Sequence, residues 1–306
     1  MEAADLDAMS SATVDGIGIE HVQLEARPFT GRWSVVRCRR MTAQLGREDL
    51  AVARRTRISP QRWAFIVPLT VSSAARWDGR PLRGREFIAC SPGSESYAFD
   101  PAGARFAVLT VPLALAAAMS ALAGITLDST TASGLLLTSP GRMSELRSQL
   151  VELEAMVHTT PRLLTLDALR RMERLILGRL VACLQSPESD VDGSSADGQR
   201  EIVKRAEAYF RGHLGEPLPM ARLSTAAGVS ERTLRNAFQT VYATSPKRYL
   251  RLWQLQQVRR ALRVADPARS TVTDVATLHG FFELGRFAGE YKAFFGEAPS
   301  ETLYSL

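Results

Sequence analysis

Apolar and polar positions change rhythm twice along this chain. Between residues 19 and 111 short apolar or alternating runs, such as Trp33-Ser34-Val35-Val36-Arg37-Cys38, Trp63-Ala64-Phe65-Ile66-Val67 and Glu86-Phe87-Ile88-Ala89-Cys90, are separated by clusters of Pro, Gly, Asp and Ser. Short strands at that spacing predict a β-sandwich or a small barrel. From residue 112 a helical period takes over. A helix over 112–124 is expected, with Pro112 near its first turn and Gly124 as its stop. A second, over 141–158, places Met143, Leu146, Leu150, Leu153 and Val157 at alternating steps of three and four, the a/d seam of two heptads. A third, over 161–184, carries Leu166, Leu169, Met172, Ile176 and Leu180 on one face, so the last two helices predict an antiparallel hairpin. The seam has two uses open to it: a dimer contact with a second copy, or packing on the β-rich domain of the same chain.

The third regime says nearly the same thing twice. Gly228, Leu234, Phe238, Val241, Pro246 and Leu250 are answered by Gly280, Phe287, Tyr291, Phe294, Pro299 and Leu303, at a constant offset of 53 residues from Leu234 onward. A repeat in apolar and turn positions is a duplicated supersecondary unit. Each copy reads helix, glycine turn, helix, the grammar of a helix-turn-helix. In the first, a lead helix ends near Gly212, a short helix spans 218–227, and Ser230 caps a helix over 231–242. Pro246 opens a long connecting helix to about Val264. In the second, a helix over 271–279 is followed by Gly280 and a helix over 283–295.

Composition sharpens the division. With 306 residues and 45% hydrophobic content the chain can bury a core in each of two domains. Its net charge of +6 is confined to residues 200–306, which hold 16 Lys and Arg against 10 Asp and Glu, while residues 1–199 hold 22 of each. A polyanionic partner therefore belongs at the C-terminal end. Residues 185–199, Ser/Asp/Gly-rich with almost no apolar side chain, read as a flexible linker. Residues 1–18, small and acidic, read as a mobile arm. The domains are thus 19–184 and 200–306.

The chemistry on the 231–242 helix supports that partner. The face opposite Leu234, Phe238 and Val241 presents Arg232, Arg235, Asn236 and Gln239, all donors suited to base edges or phosphates. The segments Gly-Val-Ser-Glu-Arg-Thr-Leu-Arg-Asn-Ala-Phe from 228 and Gly-Phe-Phe-Glu-Leu-Gly-Arg-Phe-Ala-Gly-Glu-Tyr-Lys-Ala-Phe-Phe-Gly-Glu-Ala-Pro-Ser-Glu-Thr-Leu from 280 resemble the AraC/XylS family of bacterial transcription regulators. The Leu-Gly-Arg-Phe-Ala stretch is most similar to the branch of benzoate-catabolism and ethanolamine regulators. Ser224 departs from the small alanine usual in the first scaffold helix. The resemblance implies base contacts from Arg232, Arg235 and Asn236, then from Leu284, Arg286 and Glu290. Ser230, Gln239, Lys247, Arg248, Arg251 and Lys292 are the corresponding phosphate candidates. It also implies double-stranded promoter DNA and RNA polymerase as partners, activation of transcription, and an N-terminal effector and dimerisation domain of cupin-like β structure. The expected class is therefore α+β: a cupin-like β-sandwich or barrel with a helical hairpin, then an all-α double helix-turn-helix domain.

Other chemistries find little footing. The four histidines, His21, His158, His213 and His279, are spread over separate elements, without the spacing of a metal site. No Ser/His/Asp arrangement or Gly-rich phosphate loop occurs, so neither an enzyme nor a cofactor is expected. Cys38, Cys90 and Cys183 are isolated and odd in number, which fits a reducing cytoplasm. Residues 106–127 carry no charge over 22 positions, the length of a membrane span, but Pro112 divides them into a strand and a helix. Trp33, Trp63, Phe65, Trp77 and Tyr97 lie among many arginines. They suit either a pocket for a small aromatic or carboxylate effector, or a packed core in a domain that only dimerises or recruits a protein.

Overall fold

In the computed structural model of the chain, which describes residues 15–127, 134–185, 188–189 and 194–305, strand β1 (Ile17–Gln23) is covered on both faces. Ile17 and Ile19 point into the β-domain core, while Val22 joins the core of the C-terminal domain. Five antiparallel strands form this first sheet in the order β1, β4 (Val52–Ile58), β9 (Glu95–Asp100), β6 (Arg76–Trp77), β7 (Arg80–Pro81). Alternation along each strand sends Val52, Ile58 and Ala98 inward and Ala53 and Tyr97 toward the C-terminal domain.

The second sheet runs β12 (Glu188–Ser189), β11 (Gly134–Leu137), β8 (Glu86–Cys90), β5 (Arg62–Pro68), β10 (Arg105–Pro112), β3 (Thr42–Arg47), β2 (Arg32–Arg37). It too is covered on both faces. Ala64 and Ile66 of β5 meet the first sheet, and Trp63, Phe65 and Val67 meet helices. Double coverage explains why these strands read as near-continuous apolar runs. The two sheets pack face to face without closing into a barrel.

The helices on the outer face are α1 (Leu113–Ala123), α2 (Pro140–Thr159) and α3 (Leu166–Leu184). Gly124 ends α1 in the left-handed region at φ +68. The uncharged stretch is indeed strand then helix, and among the described residues no helix is long and apolar enough to cross a membrane. The expected helix over 161–184 is shorter: Thr165 accepts from the Ala168 N–H at 3.2 Å and caps α3 there, leaving Pro161–Leu163 as a separate 3-10 turn. Met143, Leu146, Leu150 and Leu153 are buried against the second sheet and α3, with Val157 packed at the edge. The seam is thus filled from within the chain, the second of its two readings.

The C-terminal half holds α4 (Ser194–Gly212), α5 (Met220–Ala227), α6 (Glu231–Tyr242), α7 (Pro246–Val264), α8 (Val272–Leu278), α9 (Leu284–Phe295) and α10 (Pro299–Tyr304). The expected linker is narrower than its composition suggests. Glu188 and Ser189 pair with β11, and α4 begins at Ser194, where Asp197 in its first turn lies 3.7 Å from Arg80 of β7. Strand β1 likewise begins inside the expected arm, at Ile17; residues 1–14 lie outside the described residues.

The two domains share a seam. Tyr97 and Val22 are buried in it, and ion pairs cross it in both directions. Arg211 of α4 donates to Glu20 of β1 at 3.0 Å, and Arg55 of β4 stands 3.6 Å from Glu207 of α4. Glu20 also accepts from the Trp253 indole at 2.8 Å. These donors hold the Glu20 carboxyl below its ordinary pKa despite burial, which pushes the other way.

Candidate nucleic-acid interface

Gly228 stands at φ +68, a left-handed conformation that glycine adopts at least cost, and turns the chain from α5 to α6. Ser230 accepts from the Thr233 N–H at 3.1 Å and opens α6. Leu234, Ala237, Phe238, Val241 and Tyr242 are buried on one side of α6. Arg232, Arg235, Asn236 and Gln239 are exposed on the other, so the three expected base readers of this helix and the phosphate candidate Gln239 share one open face.

The second unit repeats the device with different caps. Thr271 and Asp274 form a capping box at α8. Gly280 follows at φ +85; a Cβ there would stand 3.2 Å from the Gln254 amide of α7. Phe287, Tyr291, Phe294 and Phe295 bury one side of α9. Arg286 and Lys292 are exposed opposite, and Leu284 is partly buried against the core. A Cβ on Gly289 would meet nothing within 4 Å, so this mid-helix glycine relieves no contact within the chain.

Glu290 is placed differently from a free reader. Both its carboxylate oxygens accept from Arg251 Nε at 3.0 Å, across the space between α9 and α7. Of the expected phosphate contacts, Lys247, Lys292 and Gln239 are exposed, whereas Arg251 is engaged with Glu290 and Arg248 donates to the Leu24 carbonyl of the β-domain at 2.8 Å. A groove of about 870 Å³ lies between the two units, lined by Lys247, Arg251 and Arg286 and by Glu216, Glu283 and Glu290.

Behind α6 the domain is braced by Glu207, fully buried in α4. It accepts from Tyr242 at 2.7 Å, Tyr249 at 2.6 Å and Arg211 at 3.1 Å. The two tyrosine rings stack 4.6 Å apart, and burial beside Glu207 raises both phenols well above their ordinary pKa. The β-domain touches this unit directly: a Cβ on Gly79, in the turn between β6 and β7, would lie 3.1 Å from Thr240 of α6. Glu20, Glu207 and Arg211 are invisible to sequence reading, because a single buried carboxylate leaves no periodic trace. The tyrosines at 242 and 249, seven residues apart on two helices, are the one signal that a buried acceptor waits for them.

The aromatic residues of the β-domain do not converge. Trp33 and Trp77 fill the space between the sheets, Trp63 and Phe65 face the helices, and Tyr97 lies in the seam against Tyr242. The cavity lined by Trp77, Arg54 and Asp100 measures about 20 Å³, room for about one water. Beside it His21, Glu48, Arg54 and Asp100 form a buried polar cluster, with His21 3.3 Å from Glu48 and Arg54 2.7 Å from Asp100. Burial pushes Glu48 up to about 7 and Asp100 to about 6, and pushes His21 down to about 3. Arg54 links the two carboxylates, 3.9 Å from Glu48 and 2.7 Å from Asp100.

A helix-turn-helix domain model matches residues 223–304. Over 105 residues the chain is 44% identical to a probable thc operon regulatory protein of Rhodococcus erythropolis, covering 34% of this chain and 32% of that one. Over 120 residues it is 33% identical to a XylDLEGF operon transcriptional activator 2 of Pseudomonas putida, covering 39% of this chain and 76% of that one. A solved probable AraC family transcriptional regulator from Rhodopseudomonas palustris is 36% identical, with a TM-score of 0.29, over 33% of this chain and 94% of that one. The match thus spans about a third of the Rhodococcus relative's length.

Proposed function

The chain belongs to the AraC/XylS family of transcription regulators, and we propose that it is a sequence-specific DNA-binding regulator whose two helix-turn-helix units read one promoter site together. The observation that carries this reading is the face of α6, where Arg232, Arg235, Asn236 and Gln239 stand exposed over a fully buried opposite side. Arginine matches guanine O6 and N7 and asparagine matches adenine N6 and N7 in the major groove. Helix α7, with 19 residues, is roughly 28 Å long, and so sets the two units close to the ~34 Å repeat of successive major grooves. On α9, Arg286 would bind guanine or phosphate and Leu284 a thymine methyl. Ser230, Gln239, Lys247, Arg248 and Lys292 would hold the phosphate backbone. The second face is the less basic, so the site should be asymmetric, with the α6 half supplying more of the affinity.

The Pseudomonas putida relatives bear the name of transcriptional activators, which supports activation, with RNA polymerase as the partner and the cytoplasm as the place of action. A small aromatic or carboxylate effector bound by the β-domain would govern it. The 20 Å³ cavity favours a second reading, in which the β-domain only dimerises or recruits a protein. Full-length protein and footprinted promoter DNA test the first proposal: affinity should fall steeply with salt, with a log–log slope of about −0.9 per phosphate contacted. Binding indifferent to salt or to sequence would overturn it. A thermal-shift panel of metabolites on the full chain separates the readings, since one stabilising compound favours an effector and none favours a protein partner.

A further inference from the structure

Helix α7 carries two arginines about two turns apart, and each makes the same pair of contacts with the second helix-turn-helix unit. The Arg251 guanidinium lies 4.1 Å over the ring of Phe281, just ahead of α9, and its edge meets both oxygens of Glu290. The Arg259 guanidinium lies 4.7 Å over the ring of Phe295, the last residue of α9, and its Nε donates to Glu297 at 2.9 Å. Glu297 also accepts from Thr302 of α10 at 3.0 Å, and Thr302 meets the Tyr291 hydroxyl at 2.8 Å. The two rungs thus grip α9 at its start and its end.

A planar guanidinium held by a ring on its face and a carboxylate on its edge has a fixed position. Two such groups on one rigid helix define both the rotation of α9 and its displacement along α7. On either side of Arg251, α7 is tied to the first unit through Tyr249 and Glu207 and through Trp253 packed on Phe210. One apolar cluster runs through both units and α7; such packing is non-directional, and the rungs add the directional contacts that fix the phase between α6 and α9.

Resting on the reading of both helices as groove readers, we propose that Arg251, Arg259, Glu290 and Glu297 are positioning residues that set the separation of DNA boxes the protein accepts. Arg251 and Glu290 then act through each other, and neither touches a phosphate or a base. A base-reading Glu290 would instead determine the identity of one base pair and leave separation alone.

The test uses the full chain and a set of DNA sites whose two boxes are moved apart or together by one base pair. Wild type should lose at least tenfold in affinity with each shift. Glu290→Gln combined with Glu297→Gln should reduce that penalty to threefold or less, with base preferences inside each box unchanged. Arg251→Gln should leave the slope of log affinity against log salt as it is, whereas removal of a phosphate contact lowers it by about 0.9. A Glu290 variant that changes preference at one base pair while the separation penalty persists overturns the proposal. So does a reduced salt slope in Arg251→Gln, or a wild type that binds its site yet ignores separation. A wild type that binds no DNA at all would instead remove the reading of groove-entering helices, and the proposal with it.

Discussion

Arginines in the C-terminal domain divide by what surrounds their guanidinium groups. Arg232 and Arg235 project from α6 into solvent, and Arg211, Arg251 and Arg259 are held by carboxylates and rings. Substitution should separate the classes. Arg235→Ala is expected to cost about 1 to 3 kcal/mol on the preferred site and little on unrelated DNA, measured by anisotropy titration. Lys247→Ala should weaken all sequences alike and lower the salt slope by about 1. The buried cluster gives a pH signature. Glu48 has its pKa raised to about 7, so its folded form keeps a proton that the unfolded chain gives up above about 4.5. Its contribution to stability is present below 4.5 and is lost as pH rises to 7. His21, lowered to about 3, works in the opposite sense, losing stability as pH falls below 6.5. Glu48→Gln should therefore gain in melting temperature relative to wild type between pH 5 and pH 7; an equal difference at both pH values would show that Glu48 is ionised throughout. Sequence reading found the exposed arginines because an open face of one charge sign is a local pattern. It assigned Arg251 and Glu290 to DNA because both carry the right chemistry; their pairing in space, on which the proposed positioning role rests, leaves no mark in the sequence.

At the scale of elements, the duplicated unit was the most legible feature, since turn and core positions repeat with fixed offsets. Ser230, Gly228 and Gly280 occupy the capping and turn positions their spacing implies. Gly228→Ala should destabilise the domain by about 1 to 2 kcal/mol, because a Cβ at φ +68 costs roughly that much and nothing in the surroundings compensates; calorimetry showing no loss would mean that the turn relaxes. The strands were legible as runs but not as faces. Trp63 and Phe65 point away from Trp33 and Trp77 because both sheets are covered on two sides, and a run apolar on both sides has no period to show which neighbour each residue meets. The helix expected over 141–158 spans Pro140–Thr159, and its apolar stripe is filled by the second sheet and α3.

At the scale of the molecule, the seam joins the β-domain to the first helix-turn-helix unit through Glu20, Arg55, Glu207 and Arg211. The Glu20 carboxyl has a lowered pKa, so its ion pairing is present above about pH 4.5 and is lost as pH falls through its folded value. Glu20→Gln should speed amide exchange in β1 and α7 at pH 7, and the difference from wild type should shrink below pH 4.5. Unchanged exchange at pH 7 would mean that the other contacts of the seam, apolar packing around Val22 and Tyr97 among them, hold the domains together without Glu20.

By itself the sequence determined the class of each half, the two helix-turn-helix units and the exposed polar face of α6. These are written in short-range periodicities and in glycine and serine at positions with one backbone solution. The tertiary structure alone decided which side of each sheet a tryptophan faces, that the heptad seam is filled within the chain, and that Glu20, Glu207, Glu290 and Glu297 bind arginines from distant elements. A buried ion pair depends on the separation of two groups in space, and residues 20 and 211 or 251 and 290 carry no mark in the chain that they will meet.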